Sequence, residues 1–170
     1  MTTNLRSKIQ AELAWTWTDH VSTSPVVDSN RLRLGVDLAD GRASQQADAV
    51  WHACGGSLAE GQSIVYPLDN LPQELFGATI RIRLARVKAL LIINTSDLSG
   101  GDLLIGGGDE AWEGPFGDSG GQVLLPAASP LLVANPLDGW SVVSNECNLR
   151  IVAVDGAATY DIALLGLLLG

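Results

Sequence analysis

Residues 76–94, FGATIRIRLARVKALLIIN, constrain the fold more than any other stretch, because they form the longest strand-like run without a proline. In the second half Val87, Ala89, Leu91 and Ile93 share one parity, and Leu90 and Ile92 share the other. A strand apolar on both faces is covered on both faces, which places this one centrally in a core. The first half alternates differently. Arg81 and Arg83 interleave with Ile82 and Leu84, and then Arg86 and Lys88 fall on the opposite parity. A one-residue slip moves side chains to the other face, so the pattern predicts a β-bulge or short break near Ala85.

The remaining segments repeat the strand signature. Residues 8–18 alternate, with Ile9, Ala11, Leu13, Trp15 and Trp17 on one side, and read as a long half-buried strand. A helix is the rival there, through Leu5, Ile9 and Leu13, but two Trp and two Thr favour the strand. Residues 21–30 read as a polar loop around Pro25, and 31–38 as a weak strand closed by Asp40-Gly41. Residues 47–53 read as a short strand or turn carrying Trp51, and Trp15, Trp17 and Trp51, all on strand-like segments, are expected in the core. The run 63–68 is an edge strand because of Pro67, and 70–75 a loop or one helical turn. Short strands are predicted at 103–105, 123–125, 131–134, 140–143 and 149–154. Asp155-Gly156, ahead of 159–165, is the cleanest hairpin signal. The whole predicts an all-β chain: an antiparallel two-sheet sandwich of jelly-roll type, as one domain over 8–170 behind an N-terminal arm at 1–7.

Charge and composition narrow the partners. Only 17% of residues are charged, against about 25% in an average protein, which predicts self-association. The net charge of −9 argues against direct nucleic-acid binding. Four of the ten basic residues, Arg81, Arg83, Arg86 and Lys88, fall within eight positions. They read as a solvated strand edge or, functionally, as a docking patch for an acidic partner surface. Cys54 and Cys147 are too few for a disulfide framework and are expected reduced, with one bridge left open. No signal-peptide h-region follows Met1, and the apolar run 162–169 is short for a membrane span and broken by Gly166. The expectation is a protein made in the cytoplasm, with no membrane contact.

Three patterns touch on chemistry. Gly117-Asp118-Ser119-Gly120-Gly121 is similar to the nucleophile motif of chymotrypsin-like serine proteases, but the only histidines are His20 and His52, and neither has that family's context. His52 and Cys54 alternate on one strand face without a second ligand pair for zinc. Asp102, Asp109, Glu110 and Glu113 flank Gly106-Gly107-Gly108 and leave a calcium site open. No catalytic residue, metal or cofactor is assigned. Trp112 and Phe116, in the glycine-rich loop, are candidate contact residues for a sugar or protein, against packing onto the sheet.

A series of short landmarks carries a resemblance. In order they are Asp40-Gly41, Gln46-Ala47-Asp48, Val50-Trp51, Phe76-Gly77-Ala78-Thr79, Arg86-Val87-Lys88-Ala89, Gly114-Pro115-Phe116-Gly117-Asp118, Gly139-Trp140, Leu149-Arg150-Ile151, and Thr159-Tyr160-Asp161-Ile162 with Gly166. Together they resemble a family of small virion proteins of tailed double-stranded-DNA bacteriophages. The resemblance implies a non-enzymatic structural role in the virion, as a capsid decoration or a tail or neck component. Its expected partners are copies of itself, as a trimer or larger homo-oligomer, and another virion protein. The alternatives are a carbohydrate- or cell-surface-binding β-sandwich working through Trp112, and a serine hydrolase working through Ser119.

Overall fold

The structure, a computed structural model, describes residues 4–19, 26–75 and 77–170. His20 and Phe76 lie outside the described residues, as do residues 21–25, the first half of the loop expected around Pro25. Fourteen strands are described: β1 (Ser7–Asp19), β2 (Val26–Asp40), β3 (Gln46–Ala47), β4 (Ala49–Leu58), β5 (Ser63–Pro67), β6 (Leu71–Leu75), β7 (Ala78–Ile82), β8 (Leu84–Asn94), β9 (Asp102–Gly106), β10 (Gln122–Leu125), β11 (Pro130–Ala134), β12 (Trp140–Ser141), β13 (Asn148–Val154) and β14 (Ala158–Leu168). Two antiparallel sheets form the body. One has the order β11-β8-β14-β4, with β12 also paired to β8; the other has the order β10-β9-β13-β5. Counting those eight strands in chain order, the first sheet runs sixth, third, eighth, first, and the second fifth, fourth, seventh, second. The all-β sandwich is therefore present. β5 is an edge strand, as Pro67 requires.

The core lies between the sheets. Leu90, Ile92, Ile162, Leu164 and Trp51 from the first sheet meet Leu103, Ile105, Leu149, Ile151 and Leu125 from the second. β8 is central, and its parity slip is real. Gly166 pairs with Val87 while Leu165 pairs with Ala89, and Leu168 pairs with Leu84 while Leu167 pairs with Arg86. β8 thus carries an extra residue at Lys88 and another at Ala85, and each resets which side chains face inward. Leu84, Val87 and Leu90, three apart, are all buried in the same core for this reason.

Several expectations fail, each for a non-local reason. Residues 70–75 are not a loop: β6 pairs with β7 along its length. Val26 to Asn30 are not loop but the start of β2, held by the partner strand β1. Asp155-Gly156 does not close a hairpin, because β13 and β14 belong to opposite sheets. The positive φ of Asp155 and Gly156 instead carries the chain over the edge of the sandwich. The arch is pinned where the Gly101 amide donates to the Ala157 carbonyl at 2.8 Å.

Two phenols join the sheets across the core. The hydroxyls of Tyr66 on β5 and Tyr160 on β14 are 2.7 Å apart, and Trp51 tilts against Tyr66 at 5.1 Å. Burial pushes both hydroxyls above the ordinary tyrosine value, and for Tyr160 the bond to Tyr66 pushes the same way. The unfolded chain therefore loses these protons from about pH 10 upward while the folded chain keeps them, so stability falls as pH rises through that range. The expected slope is on the order of 1 kcal/mol per pH unit for each phenol held neutral. Denaturant midpoints measured from pH 8 to 11 should show the decline. The Tyr66→Phe/Tyr160→Phe variant should flatten it, and an equally steep decline in that variant would refute the assignment.

Candidate interaction surfaces

The chain opens with a feature that the parity of residues 8–18 half reveals. β1 and β2 pair antiparallel along all of β1, from Ser7 opposite Leu38 to Asp19 opposite Val26. Directly paired residues share a face, so the register sorts the side chains. Ile9 with Val36, Ala11 with Leu34 and Leu13 with Leu32 make one apolar face, which Trp15 and Trp17 continue beside their polar partners Asn30 and Asp28. Gln10, Glu12, Thr16, Ser29, Arg31 and Arg33 stand on the other. The polar face is partly paired within the chain: Arg33 lies 3.6 Å from the Glu12 carboxylate and donates to Gln10 Oε1 at 3.2 Å, and the Thr16 and Ser29 hydroxyls are 3.2 Å apart.

Among the described residues the apolar face is covered chiefly at its base. Leu5, Ile9 and Val36 pack against a small cluster of Leu38, Ala47, Ala89 and Leu165, on the side of the β8–β14 sheet that faces away from the core. Beyond that base Leu13 is 66% exposed, Leu32 66%, Leu34 68% and Trp17 74%. The expectation that Trp15 and Trp17 belong to the core is therefore overturned, whereas Trp51 is buried as expected. The N-terminal arm is also larger than residues 1–7, since the projecting element is the β1–β2 hairpin. Leu5 is tied to it by packing and by its amide donating to Asp40 Oδ1 at 3.1 Å. An isolated two-stranded hairpin is marginal in water, and this one displays large apolar side chains along one face.

The outer face of the β11-β8-β14-β4 sheet is the second such surface. Next to the arm's base an open cleft of about 390 Å³ is lined by Ile9 and Gln10 from the arm and by Val50, Leu91, Leu132 and Ala163 from the sheet. Val50, Ile93 and Leu132 are exposed there. Cys54, on the same parity of β4 as Val50, is an exposed thiol, while Cys147 is buried; both are free.

Of the four basic residues expected to form one docking patch, Arg81, Arg83 and Arg86 are exposed and Lys88 is not. Lys88 is 1% exposed. Its ammonium donates to the backbone carbonyls of Pro136 and Leu137, and burial lowers its pKa from the ordinary lysine value, a shift that nearby Asp138 opposes. The bulge at Lys88 makes this burial possible, and the carbonyls it needs are supplied by the turn after β11. Arg86 reinforces the same turn, donating to the Asp138 carbonyl at 3.1 Å. Arg81 and Arg83 are exposed, and Arg83 donates to the Asp69 carbonyl at 3.3 Å.

Trp112 is not an exposed loop contact either. It is 1% exposed, its Nε1 donates to the Ser141 carbonyl at 2.9 Å, and Phe116 and Trp140 meet it edge-on with centroids 6.1 and 6.2 Å away. Phe116 is half-buried and packs on the core. The glycine-rich loop is thus packed down around Trp112, the alternative weighed above. In the Gly117–Gly121 string Asp118 closes its own turn, accepting from the Gly120 amide at 2.8 Å. Ser119 is exposed and leads into β10, whereas His52 stands on the outer side of β4 in the opposite sheet. Asp102 accepts from the Ala127 amide at 3.1 Å. Among the described residues no three His, Cys, Asp or Glu side chains are grouped to hold a metal ion, and no helix is long and apolar enough to cross a membrane.

In comparisons with known proteins, no family model matches this chain, and neither a curated protein nor a solved structure matches it.

Proposed function

We propose that this chain is a non-enzymatic structural subunit of a tailed-bacteriophage virion, a capsid decoration protein that assembles with copies of itself and docks on the particle. The observation that carries the reading is the amphipathic β1–β2 arm. Its polar face carries pairs made within the chain, and beyond the base its apolar face holds Leu13, Leu32, Leu34 and Trp17 at 66–74% exposure. An exposed apolar surface of this kind marks an interaction site, and a low-charge, acidic chain fits a subunit that buries surface against its own kind. The strand order supports the same direction. Eight strands running sixth, third, eighth, first and fifth, fourth, seventh, second read as a jelly roll, an architecture used by capsid proteins and by lectins. The lectin alternative loses its sequence feature, because Trp112 is buried.

Two measurements test the reading. Light scattering behind a sizing column should give a discrete closed oligomer, a trimer or larger. A clean monomer at 17.8 kDa would remove self-association. Gradient-purified particles of the phage encoding the chain should carry it in many copies, and its absence from them would remove the virion assignment.

A further inference from the structure

We propose that the apolar face of the β1–β2 arm seats on the outer face of the β11-β8-β14-β4 sheet of a second copy of this chain, so that each copy gives one arm and receives one. The inference rests on the self-associating reading above and adds which surfaces meet. Two uncovered apolar surfaces occur on the same molecule: the arm beyond its base, with Leu13, Trp17, Leu32 and Leu34, and the sheet face, with Val50, Ile93 and Leu132.

The argument for joining them is continuity. The same stripe of the arm already packs on the same side of the sheet within one chain, where Ile9 and Val36 meet Ala89 and Leu165. Past that contact the arm leaves its own sheet, and the sheet next to the contact opens into the cleft lined by Val50, Leu91, Leu132 and Ala163. A neighbour's arm laid there extends a contact whose chemistry is already present.

Size and charge agree. Nine residues of β1 beyond Gln10 reach roughly 30 Å, while four strands spaced about 4.8 Å apart make a sheet roughly 20 Å wide, so one arm crosses the face. Trp17 at 74% exposed, Leu13, Leu32 and Leu34 at 66–68% and Trp15 at 38% give the arm a large apolar area to set toward the ~800 Å² per partner of a standard interface. Residues 4–40 carry four basic and five acidic side chains against six and fourteen in residues 41–170, so the arm meets the acidic body of a neighbour without strong repulsion. Because donor and acceptor are different patches, the contact either closes reciprocally between two copies about a two-fold axis or runs head-to-tail around a ring. The trimer or larger assembly expected above selects the ring, and both arrangements differ from a dimer in which arm packs on arm.

Complementation by mixing tests this. Leu13→Asp/Leu32→Asp spoils the arm and leaves the sheet. Val50→Asp/Leu132→Asp spoils the sheet and leaves the arm. All four positions are exposed, and circular dichroism should show both variants folded. Each alone should run as a monomer, and an equimolar mixture should double in mass and go no further, since only one sound contact remains. If wild type assembles and the sheet variant assembles as well, arm-to-arm pairing or another surface is responsible and the inference falls while self-association stands. The opposite sheet exposes Val65 and Leu124. Val65→Asp/Leu124→Asp should therefore assemble like wild type, and its failure would relocate the receiving face. A monomeric wild type defeats the underlying reading itself. A second route needs no disruptive charge. In Leu13→Cys a short bismaleimide should link the arm to Cys54 of the next copy and give a covalent ladder that Cys54→Ser abolishes. A ladder that survives Cys54→Ser, or no ladder from assembled protein, overturns the proposal.

Discussion

Trp112→Ala is expected to destabilise the fold by about 3–5 kcal/mol, the range for removing a large buried aromatic. The indole is 1% exposed and braces three parts of the chain at once. Its backbone amide donates to the carbonyl of Asn148, the first residue of β13, at 2.9 Å, its ring nitrogen donates to the carbonyl of Ser141 at the end of β12, and Phe116 and Trp140 meet the ring edge-on. Gly114 is required by the same packing, since a Cβ there would lie 2.4 Å from the indole ring. Truncation leaves a cavity and also strands the Ser141 carbonyl. Trp112→Phe separates the two effects, because it keeps most of the volume and loses only the hydrogen bond, for roughly 1–3 kcal/mol. Denaturant titration at one fixed protein concentration reads both. Any loss of binding in Trp112→Ala should follow the loss of folded protein and bear on all partners alike. A midpoint unchanged from wild type would mean that the indole does not hold the loop.

Trp112 illustrates how far sequence reading reaches. An aromatic in a glycine-rich loop looks the same whether it faces solvent or folds back, because the residues that receive it, Ser141 and Trp140, lie far along the chain. The central strand was more legible. Alternation alone located β8, its apolar character on both faces and the break near Ala85, because those properties are local consequences of a period of two, but on the outer face Ala89 is buried whereas Ile93 is exposed. Parity could not say that the bulge at Lys88 would turn an ammonium inward, since the carbonyls that satisfy it belong to residues 136 and 137. β1 shows the same limit at the level of assembly. Its apolar face was read correctly from Ile9, Ala11, Leu13, Trp15 and Trp17, but a pattern states that a face wants cover and not which molecule provides it. Asp155-Gly156 shows it for topology. The turn chemistry was right, and a turn with those backbone angles can join two paired strands or carry the chain from one sheet to the other.

Gly166→Ala should be the most damaging single-methyl change on the central strand pair, at about 3 kcal/mol. Gly166 sits on β14 opposite Val87, at the step where β8 carries Lys88 as an extra residue. The bulge brings the two backbones together there, so that a Cβ on residue 166 would lie 2.1 Å from the Arg86 carbonyl oxygen and 3.2 Å from its carbon. A flexible side chain could turn aside from such a clash, but a ladder carbonyl cannot. Either β8 shifts or β14 does. A shift of β8 pulls Arg86 and Lys88 from the carbonyls of residues 136–138 that they hold, and a shift of β14 disturbs the Gly166 carbonyl that accepts from the Asp48 amide at 3.2 Å. Overpacking of this kind costs about 1–3 kcal/mol, sometimes more, and two further contacts place this case at the upper end. For a chain of this size the loss corresponds to a fall in Tm of roughly 6–12 °C. Gly55→Ala is the natural comparison. Gly55 has open space around its Cβ position but a φ of +71°, so alanine there pays only backbone strain, about 1 kcal/mol. If Gly166→Ala melts no lower than Gly55→Ala, the two backbones are not in contact at the bulge, and the burial of Lys88 needs another cause.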